Sequence, residues 1–248
     1  MKNSIQLVGQ RILVTGAGGG IGSAAARACA TLGASLVLTD LQSPDALADE
    51  LCGAGVDAAA RSLDNSQPES VRRLVEEMGP FDALADCSGL YLKGDWINGG
   101  AEWVSGFRDM MNTNVLGPVN LVRECIPAMV KKGSGRVVLT GSVGARAGGS
   151  TLGAEPGYIA TKGALHALVR YFARQVAAQG VVVNAVAPGP TETAMVAAAQ
   201  RSWPEGALPM NRVGRPEEIG WPIAFLCSPA ASYITGTVVD VNGGTFIG

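Results

Sequence analysis

A short apolar run followed by closely spaced glycines, in residues 11–22, constrains the fold of this chain more than any other stretch. Residues 12–14 are apolar, which is typical of a buried strand, and an alanine-rich helix is predicted to begin near Ser23. A strand, a glycine turn and a helix in this order form an anion site, because bare N–H groups can approach the anion and the helix N-terminus adds partial positive charge. The spacing G-x-x-x-G-x-G in residues 16–22 differs from the G-x-G-x-x-G dinucleotide fingerprint. By itself the stretch also fits a glycine turn without a ligand.

Strand-like and helix-like segments alternate along the whole chain. Several of the strand-like segments are apolar throughout, as in a parallel sheet that is covered on both faces. This alternation predicts an α/β fold: a single-domain, Rossmann-like, doubly wound parallel sheet of about seven strands with helices on both faces, over residues 1–248. The helix predicted at 105–132 is expected to bend at Pro118. The predicted strands are 11–15, 35–39, 57–61, 81–85, 136–140, 181–186 and 237–241, and the predicted helices are 21–32, 45–52, 68–78, 105–132, 158–178 and 216–227.

Charge and cysteine content exclude several classes of function. The net charge is −2 and no basic block occurs, which argues against a nucleic-acid partner. The five cysteines are scattered without a C-x-x-C pair, so we expect reduced thiols in the cytoplasm rather than disulfides or a metal site. No apolar run has the length of a signal peptide core or a membrane span, and we expect no membrane association.

Asp40 is predicted to end the second strand, eighteen residues after Gly22. In a dinucleotide-binding sheet an acidic residue at this place accepts hydrogen bonds from the adenosine ribose hydroxyls. A 2′-phosphate would meet like charge there, and neither Gly19 nor Leu41 offers a cation to offset it. The residue therefore favours NAD over NADP, although a plain turn aspartate would look the same in the sequence.

Polar residues also follow the third and fourth predicted strands. Asp64 and Asn65 come after the third strand, where Asp64 could accept from an adenine amino group or cap the helix that begins at Pro68. Both interpretations stay open. Residues 86–89, with the sequence Asp-Cys-Ser-Gly, follow the fourth strand at the same carboxyl edge, where ligands bind in such sheets.

Tyr158 and Lys162 lie four residues apart and therefore share one helix face. A phenol is a poor acid–base group at neutral pH, but an ammonium about 4 Å away in a shielded cleft stabilises the phenolate by up to ~4 kcal/mol. The pattern Y-x-x-x-K is common on solvated helix faces and does not identify a site by itself. Ser142 adds to it, because this serine follows the fifth strand at the edge that carries the glycine turn. Its hydroxyl can hold a substrate oxygen beside the tyrosine.

Taken together, these motifs resemble the short-chain dehydrogenase/reductase family over essentially the whole chain. The family motif T-G-x-x-x-G-x-G appears at residues 15–22, and the family's Ser and Tyr-x-x-x-Lys set matches the residues just described. Its helix asparagine matches Asn114, and its P-G-x-x-x-T segment matches residues 188–193. The tail YITGTVVDVNGG is also similar to the family.

The resemblance implies an enzyme that transfers a hydride between NAD(H) and a secondary alcohol or ketone, a small-molecule substrate. Tyr158 would be the general acid or base, Lys162 would assist it and hold the nicotinamide ribose, and Ser142 would orient the substrate oxygen. Asn114 would fix a water that relays protons from the lysine; the alternative is an amide that bonds backbone at a helix kink. A 3-oxoacyl thioester reductase of the acyl-carrier-protein type is the alternative activity, although such reductases more often use NADPH. The resemblance also implies a homotetramer.

Residues at the glycine turn and at the carboxyl ends of the strands form the predicted cofactor site. Thr191 and Thr193 would hold the carboxamide and a phosphate. The complete predicted set is Gly16, Gly18, Gly20, Ile21, Gly22, Asp40, Leu41, Asp64, Asn65, Cys87, Ser88, Gly89, Tyr158, Lys162, Pro188, Gly189, Thr191 and Thr193.

The segment 86–89 departs from the family, which usually has N-N-A-G there. Asparagine amides both donate and accept hydrogen bonds, whereas an ionised Asp86 can only accept. If Asp86 is buried, it must find donors or take up a proton. Cys87 is expected to be a small core residue rather than a redox thiol.

Three further expectations concern the surroundings of the site. A substrate lid is predicted near residues 191–212, and six aromatic or sulfur side chains should face the mouth of the site. Arg146 is expected to be solvated, with a substrate anion as the alternative partner. His166 should lie about 12 Å from Tyr158 along the helix axis, which makes it structural. The six side chains are Tyr91, Trp96, Trp103, Met195, Trp203 and Met210.

Overall fold

A computed structural model describes residues 5–149, 154–198, 203 and 206–248. Within these ranges, parallel strands alternate with helices. The strands are β1 (Arg11–Thr15), β2 (Ser35–Asp40), β3 (Ala58–Ser62), β4 (Ala83–Asp86), β5 (Gly135–Thr140), β6 (Val181–Pro188) and β7 (Val238–Val241). The α-helices are α1 (Gly20–Thr31), α2 (Asp45–Gly53), α3 (Pro68–Met78), α4 (Gly100–Met111), α5 (Gly117–Lys132), α6 (Gly144–Ala147), α7 (Pro156–Val176), α8 (Ala194–Ala198) and α9 (Pro216–Cys227).

The strands form one seven-stranded parallel sheet in the order β3-β2-β1-β4-β5-β6-β7. On one side of the sheet β2 and β3 follow β1, and on the other side β5, β6 and β7 follow β4. Loops that leave the carboxyl ends of β1 and β4 therefore turn to opposite faces and open a crevice between them. This topology confirms the predicted fold class and fixes where a ligand can enter.

Two apolar layers enclose the sheet, one on each face. Side chains alternate along a strand, so Ile12 and Val14 of β1 join one core cluster while Leu13 joins the other. The first cluster includes buried residues of α1, α2 and α9, and the second includes buried residues of α3, α5 and α7. Helices thus cover both faces, which explains why the strands are apolar throughout.

The predicted helix 105–132 is not one regular helix. It begins earlier, at Gly100, and a π-helical turn (Asn112–Leu116) separates α4 from α5. Pro118 lies two residues after the end of this turn and has no N–H to donate to the carbonyl of Asn114, so the regular hydrogen-bond ladder cannot pass through this point. The regular hydrogen-bond pattern is thus interrupted just before the proline by a π turn with Asn114 at its centre, and the expected bend at Pro118 stays a prediction.

Smaller differences lie at the ends of the elements. The prediction for β4 began two residues early, because Phe81 is buried although strand pairing starts at Ala83. The short helices α6 and α8 were not predicted. No helix in the described ranges is both long enough and apolar enough to cross a membrane.

Helices α1 and α9 approach each other so closely at Gly220 that a substitution there tests the packing on one face of the sheet. A Cβ added at Gly220 would lie 2.7 Å from the carbonyl carbon of Ala24, whereas one added at Gly163 of α7 would meet no atom within 4 Å. We expect Gly220→Ala to lower the free energy of unfolding by about 1–3 kcal/mol through overpacking. Gly163→Ala should raise it by roughly 0.5–1 kcal/mol through helix propensity. Urea denaturation of both variants measures these changes; equal effects would contradict the packing described.

Candidate active site

The turn after β1 requires glycine at specific points. Gly16 has a φ of +65°, and a Cβ there would lie 2.5 Å from the carbonyl oxygen of Cys87. A Cβ at Gly22 would lie 2.0 Å from the carbonyl oxygen of Gly16. No residue larger than glycine therefore fits at this position in the first turn of α1. The turn therefore packs against the end of β4 and leaves the N-terminus of α1 open toward the crevice.

Asp40 ends β2 beside this turn, as predicted. Its two carboxylate oxygens accept hydrogen bonds from the backbone N–H groups of Gly18, at 3.0 Å, and Leu41, at 2.8 Å. A Cβ at Gly18 would lie 3.0 Å from one of these oxygens, so glycine allows the close approach. The half-buried carboxylate is held at the rim of the crevice.

Two connected clefts occupy the carboxyl edge of the sheet. The first, here called the glycine cleft, spans about 1000 Å³, and the second, the tyrosine cleft, spans about 740 Å³; both volumes include space that is open to solvent. Predicted residues in the glycine cleft are Gly16, Gly20, Ile21, Gly22, Asp40, Leu41, Asp64, Asn65, Cys87, Ser88, Gly89 and Thr193. Predicted residues in the tyrosine cleft are Ile21, Cys87, Ser88, Gly89, Ser142, Tyr158, Lys162, Pro188, Gly189, Thr191 and Thr193.

The shape and chemistry of the paired clefts fit a nicotinamide dinucleotide. The glycine turn forms a cradle at the N-terminus of α1, in the wall of the glycine cleft, where bare N–H groups suit a diphosphate. Asp40 lies on one side of the cradle, where ribose hydroxyls can donate to it. The shared lining residues join the cradle to the tyrosine cleft, so that an elongated two-part molecule can span both.

The buried carboxyl of Asp86 finds donors, which resolves the question raised by the sequence. The residue is 1% exposed, and its Oδ1 accepts from the hydroxyl of Thr15 at 2.6 Å. The same atom accepts from the hydroxyl and the N–H of Ser88, at 2.5 and 3.1 Å. Ser88 in turn accepts from Nδ2 of Asn65 at 2.8 Å. These hydrogen bonds connect the ends of β1 and β4 to the loop after β3, beneath the glycine cleft.

Cys87 is a protonated thiol in the floor of the site. Burial, and secondly the neighbouring Asp86, raise the pKa of this thiol to about 12. A thiol with so high a pKa has little nucleophilic thiolate at neutral pH. The side chain packs against the core cluster that contains α1 and α9, as expected for a small core residue.

Ser142, Tyr158 and Lys162 come together in the tyrosine cleft. Lys162 is 3% exposed; its Nζ donates to the carbonyl oxygen of Thr140 at 2.7 Å and lies 5.7 Å from the centre of the Tyr158 ring. The Oγ of Ser142 accepts from the N–H of Gly144 at 3.0 Å. Because that bond uses a lone pair, the serine hydroxyl keeps its hydrogen for an oxygen in the cleft.

Asn114 uses its side-chain amide to connect backbone segments. Its Oδ1 accepts from the N–H of Leu90 at 2.7 Å, and its Nδ2 donates to the carbonyl of Leu90 at 2.8 Å and to Oγ1 of Thr161 at 3.1 Å. Both amide hydrogens are engaged, which matches the alternative of an amide that bonds backbone at a helix irregularity. The side-chain amide thus has this structural role, and the relay water that the resemblance implies at Asn114 stays a prediction.

Two other predicted residues combine a turn role with a place in the clefts. Oδ1 of Asp64 accepts from both the N–H and the hydroxyl of Ser66, at 3.0 and 2.6 Å, so the aspartate shapes the entry to α3 while lining the glycine cleft. Thr191 is 3% exposed and donates to the carbonyl of Gly189 at 2.9 Å. Its oxygen can then only accept from a ligand, which suits a carboxamide NH₂ group.

The predicted mouth of the site is only partly correct. Tyr91 and Met195 line the tyrosine cleft, and the Tyr91 ring meets the Tyr158 ring edge to face at 5.3 Å. Trp103 instead donates from its indole nitrogen to the buried Glu155, at 2.8 Å, and lines a separate cavity. Met210 lies in a further pocket, beside the C-terminal segment. Of the predicted lid, residues 199–202, 204 and 205 lie outside the described residues.

Two basic residues have partners that the sequence did not reveal. Arg146 is exposed, as expected, but it also pairs with Asp240 at 3.0 Å and donates to the carbonyl of Val238 at 2.9 Å. His166 is 6% exposed, and its Nε2 accepts from the N–H of Ser142 at 3.4 Å. The helical spacing correctly separates His166 from Tyr158, but it says nothing about β5, whose carboxyl end lies beside α7.

The fold and the site together define a class. A doubly wound parallel sheet, a glycine turn at its switch point, an acidic residue ending β2 and a serine, tyrosine and lysine in one cleft are the parts of a nicotinamide-dinucleotide-dependent oxidoreductase.

Comparison with known proteins gives the family. Residues 16–245 match the family described as "Enoyl-(Acyl carrier protein) reductase". The chain is 35% identical to the oxidoreductase UcpA of Escherichia coli, with 97% of this chain and 95% of the relative covered. It is 34% identical to the 3-oxoacyl-[acyl-carrier-protein] reductase FabG of Vibrio cholerae, with 98% and 100% covered. The chain belongs to the short-chain dehydrogenase/reductase family and is an oxidoreductase.

Solved structures agree with this assignment. A short-chain type dehydrogenase/reductase from Mycobacterium marinum superposes with a TM-score of 0.90 at 29% identity, covering 99% of both chains. A structure described as a 2-deoxy-D-gluconate 3-dehydrogenase from Agrobacterium tumefaciens, with bound NADP, gives a TM-score of 0.87 at 29% identity, covering 98% of this chain and 99% of that one.

The buried imidazole predicts a dependence of stability on pH. Burial first, then the charges of Arg146, Lys162 and Arg170, lower the pKa of His166 to about 4 from an ordinary 6.5. The unfolded chain therefore binds more protons between these values, so stability should fall as the pH falls from about 6.5 to about 4. Allowing for solvent screening, we expect a loss of roughly 2 kcal/mol that His166→Gln does not show. Urea titrations at several pH values measure it, and parallel curves for the two proteins would contradict it.

Proposed function

We propose that this protein is an NAD(H)-dependent oxidoreductase that interconverts a secondary alcohol and a ketone. The observation that carries the proposal is the convergence of Ser142, Tyr158 and Lys162 in the tyrosine cleft, beside the glycine cleft. A dinucleotide in the paired clefts would bring its nicotinamide end to these three side chains, and the nicotinamide would supply or accept the hydride.

Tyr158 is the proton donor to the carbonyl oxygen in reduction and the proton acceptor from the alcohol in oxidation. The neighbouring ammonium of Lys162 stabilises the phenolate form that appears after proton donation. Ser142 donates its free hydroxyl hydrogen to the substrate oxygen and so holds it beside the phenol. These roles need all three groups at one oxygen atom, and their common place in the lining of the tyrosine cleft supports this proposal.

Lys162 has a second task in this proposal. One of its three hydrogens goes to the carbonyl of Thr140, which points the ammonium into the cleft. The remaining hydrogens can reach ribose hydroxyls and the phenol oxygen. Among the described residues this buried ammonium donates to a neutral carbonyl and forms no ion pair, so it is well placed to bind oxygen acceptors of a ligand.

We propose NAD rather than NADP as the cofactor. The support is Asp40, whose carboxylate is fixed at the rim of the glycine cleft by the N–H groups of Gly18 and Leu41. A 2′-phosphate would approach this charge, while ribose hydroxyls would donate to it. The choice between NAD and NADP has to be tested for this protein, because the similar Agrobacterium tumefaciens structure contains bound NADP.

Reduction of a 3-oxoacyl thioester is a second candidate activity. The similarity to the Vibrio cholerae FabG protein over almost the whole of both chains favours it. The two activities are separated by following NADH and NADPH oxidation with a neutral ketone panel and with a 3-oxoacyl thioester. Faster turnover of the thioester with NADPH would favour the second candidate.

We further propose that the protein is a cytoplasmic homotetramer. All five cysteines are free thiols, which suits a reducing compartment. Large apolar side chains are exposed on the helical layer that contains α7, including Leu116 and Tyr171 at 42% and 58% exposure. Such surfaces suit contacts between copies of one chain.

Replacing the phenol should separate chemistry from binding. We expect Tyr158→Phe to lower kcat at least about 1000-fold, because the proton donor is lost, while the Kd for NADH changes less than about twofold. Absorbance of reduced nicotinamide measures kcat across an alcohol and ketone panel, and fluorescence titration measures binding. Tyr171→Phe, an exposed tyrosine on the same helix, is the control and should retain full activity. Turnover by Tyr158→Phe near the wild-type rate would remove the proposed acid–base role.

Replacing the carboxylate at the rim should change cofactor choice. We expect Asp40→Ala to lower the ratio of kcat/KM for NAD over NADP by about tenfold or more, because like-charge repulsion disappears. Asp49→Ala, an exposed carboxylate of α2, serves as the control and should leave the ratio unchanged. A ratio that is the same in Asp40→Ala and the wild type would exclude Asp40 as the determinant.

A further inference from the structure

His166 contacts the segment that carries Ser142, although it lies two helical turns from Tyr158. Its ring is 6% exposed, and its Nε2 accepts from the N–H of Ser142 at 3.4 Å. A Cβ added at Gly141 would lie 2.2 Å from Nε2 and 2.7 Å from Cδ2 of the ring. The Nε2–Cδ2 edge of the imidazole therefore lies directly against the backbone at the end of β5.

The Ser142 N–H has no partner in the sheet. The N–H groups of Gly141 and Val143 donate to β6, to the carbonyls of Val186 and Pro188 at 2.8 and 3.0 Å. Because N–H directions alternate along an extended chain, the N–H of Ser142 faces the other way, toward β4. That strand ends at Asp86, which pairs with Leu139. His166 supplies the acceptor that the shortened strand cannot.

The peptide on each side of Ser142 is thus held from both directions. Strand β6 holds it on one side and the imidazole on the other, while the N–H of Gly144 fixes Oγ at 3.0 Å. A serine hydroxyl contributes to catalysis only when it is held within a fraction of an ångström of the substrate oxygen. At 3.4 Å the hydrogen bond to His166 is long and therefore weak. We expect it to affect the orientation of the Ser142 peptide more than the stability of the protein.

We propose that His166 is a positioning residue for Ser142, acting as a neutral imidazole whose bare Nε2 accepts the serine N–H. This inference rests on the function proposed above, in which Ser142 orients the substrate oxygen. Protonation of Nε2 would place two N–H groups against each other and break the contact. The positive charges of Arg146 on α6 and of Lys162 and Arg170 on α7 oppose that protonation.

Two substitutions of similar shape test the acceptor role. Gln places an amide oxygen near the position of Nε2, whereas Met fills the same volume without an acceptor for the N–H. We expect His166→Met to lower kcat about tenfold, and His166→Gln to stay within about threefold of the wild type, with the Kd for NADH unchanged in both.

A double-mutant cycle with Ser142→Ala separates positioning from general support of the fold. If His166 acts through the serine hydroxyl, His166→Met should change the residual single-turnover rate of Ser142→Ala by less than about twofold. An equal factor in both backgrounds, or no loss from His166→Met in the Ser142 protein, would overturn the proposal.

The chain contains one histidine, so nitrogen-15 NMR of an untagged, histidine-labelled sample reports this ring alone. We expect the neutral tautomer with the proton on Nδ1 and an unprotonated Nε2 at pH 7. This measurement tests whether Nε2 can accept the N–H of Ser142, and it does so even if His166→Met does not fold. A proton on Nε2 at pH 7 would contradict the proposal. Absence of turnover in the wild type with every alcohol and ketone would instead be a failure of the proposed function, which this NMR result does not touch.

Discussion

The hydrogen bond from the buried ammonium of Lys162 to the end of β5 is the interaction on which the geometry of the site depends. Lys162 is 3% exposed and donates to a neutral carbonyl, that of Thr140, rather than to a carboxylate. An ammonium taken out of water loses much solvation free energy unless oxygen atoms replace the water. Lys162 lines the tyrosine cleft together with Tyr158, so the oxygen atoms of a bound ligand can contribute to that replacement. In the function proposed above, the same positive charge supports cofactor binding and proton transfer.

The sheet supports this arrangement through Thr140, at the end of β5. Its carbonyl accepts from Lys162, and its hydroxyl donates to the carbonyl of Asp86 at 2.8 Å. Asp86 collects the hydroxyls of Thr15 and Ser88 on one oxygen. The floor beneath the two clefts is consequently one hydrogen-bonded layer across the ends of β1, β4 and β5. An aspartate can serve where the family usually has asparagine because its neighbours here supply the donors.

Much of this could be predicted from the sequence, for identifiable reasons. Glycine positions, strand ends and the spacing from Tyr158 to Lys162 are local properties, and the parallel topology then brings them to one edge. The partners of Arg146 and Trp103 could not be predicted in this way, because Asp240 and Glu155 lie far along the chain. The contact of His166 with the N–H of Ser142 could not be predicted either, because helical spacing gives distances along α7 but not to the neighbouring strand. The π turn around Asn114 likewise depends on Pro118 and on packing that periodicity does not reveal.

The most direct test of the account follows the hydride itself. The wild-type protein is incubated with NADH that carries deuterium at the transferable C4 position and with a panel of neutral ketones, and the alcohols are examined by mass spectrometry. The account predicts an alcohol with one deuterium on its carbinol carbon, formed by direct transfer within the paired clefts. An alcohol that carries no deuterium from NADH of either C4 stereochemistry, or no product from any carbonyl compound tested, would contradict it.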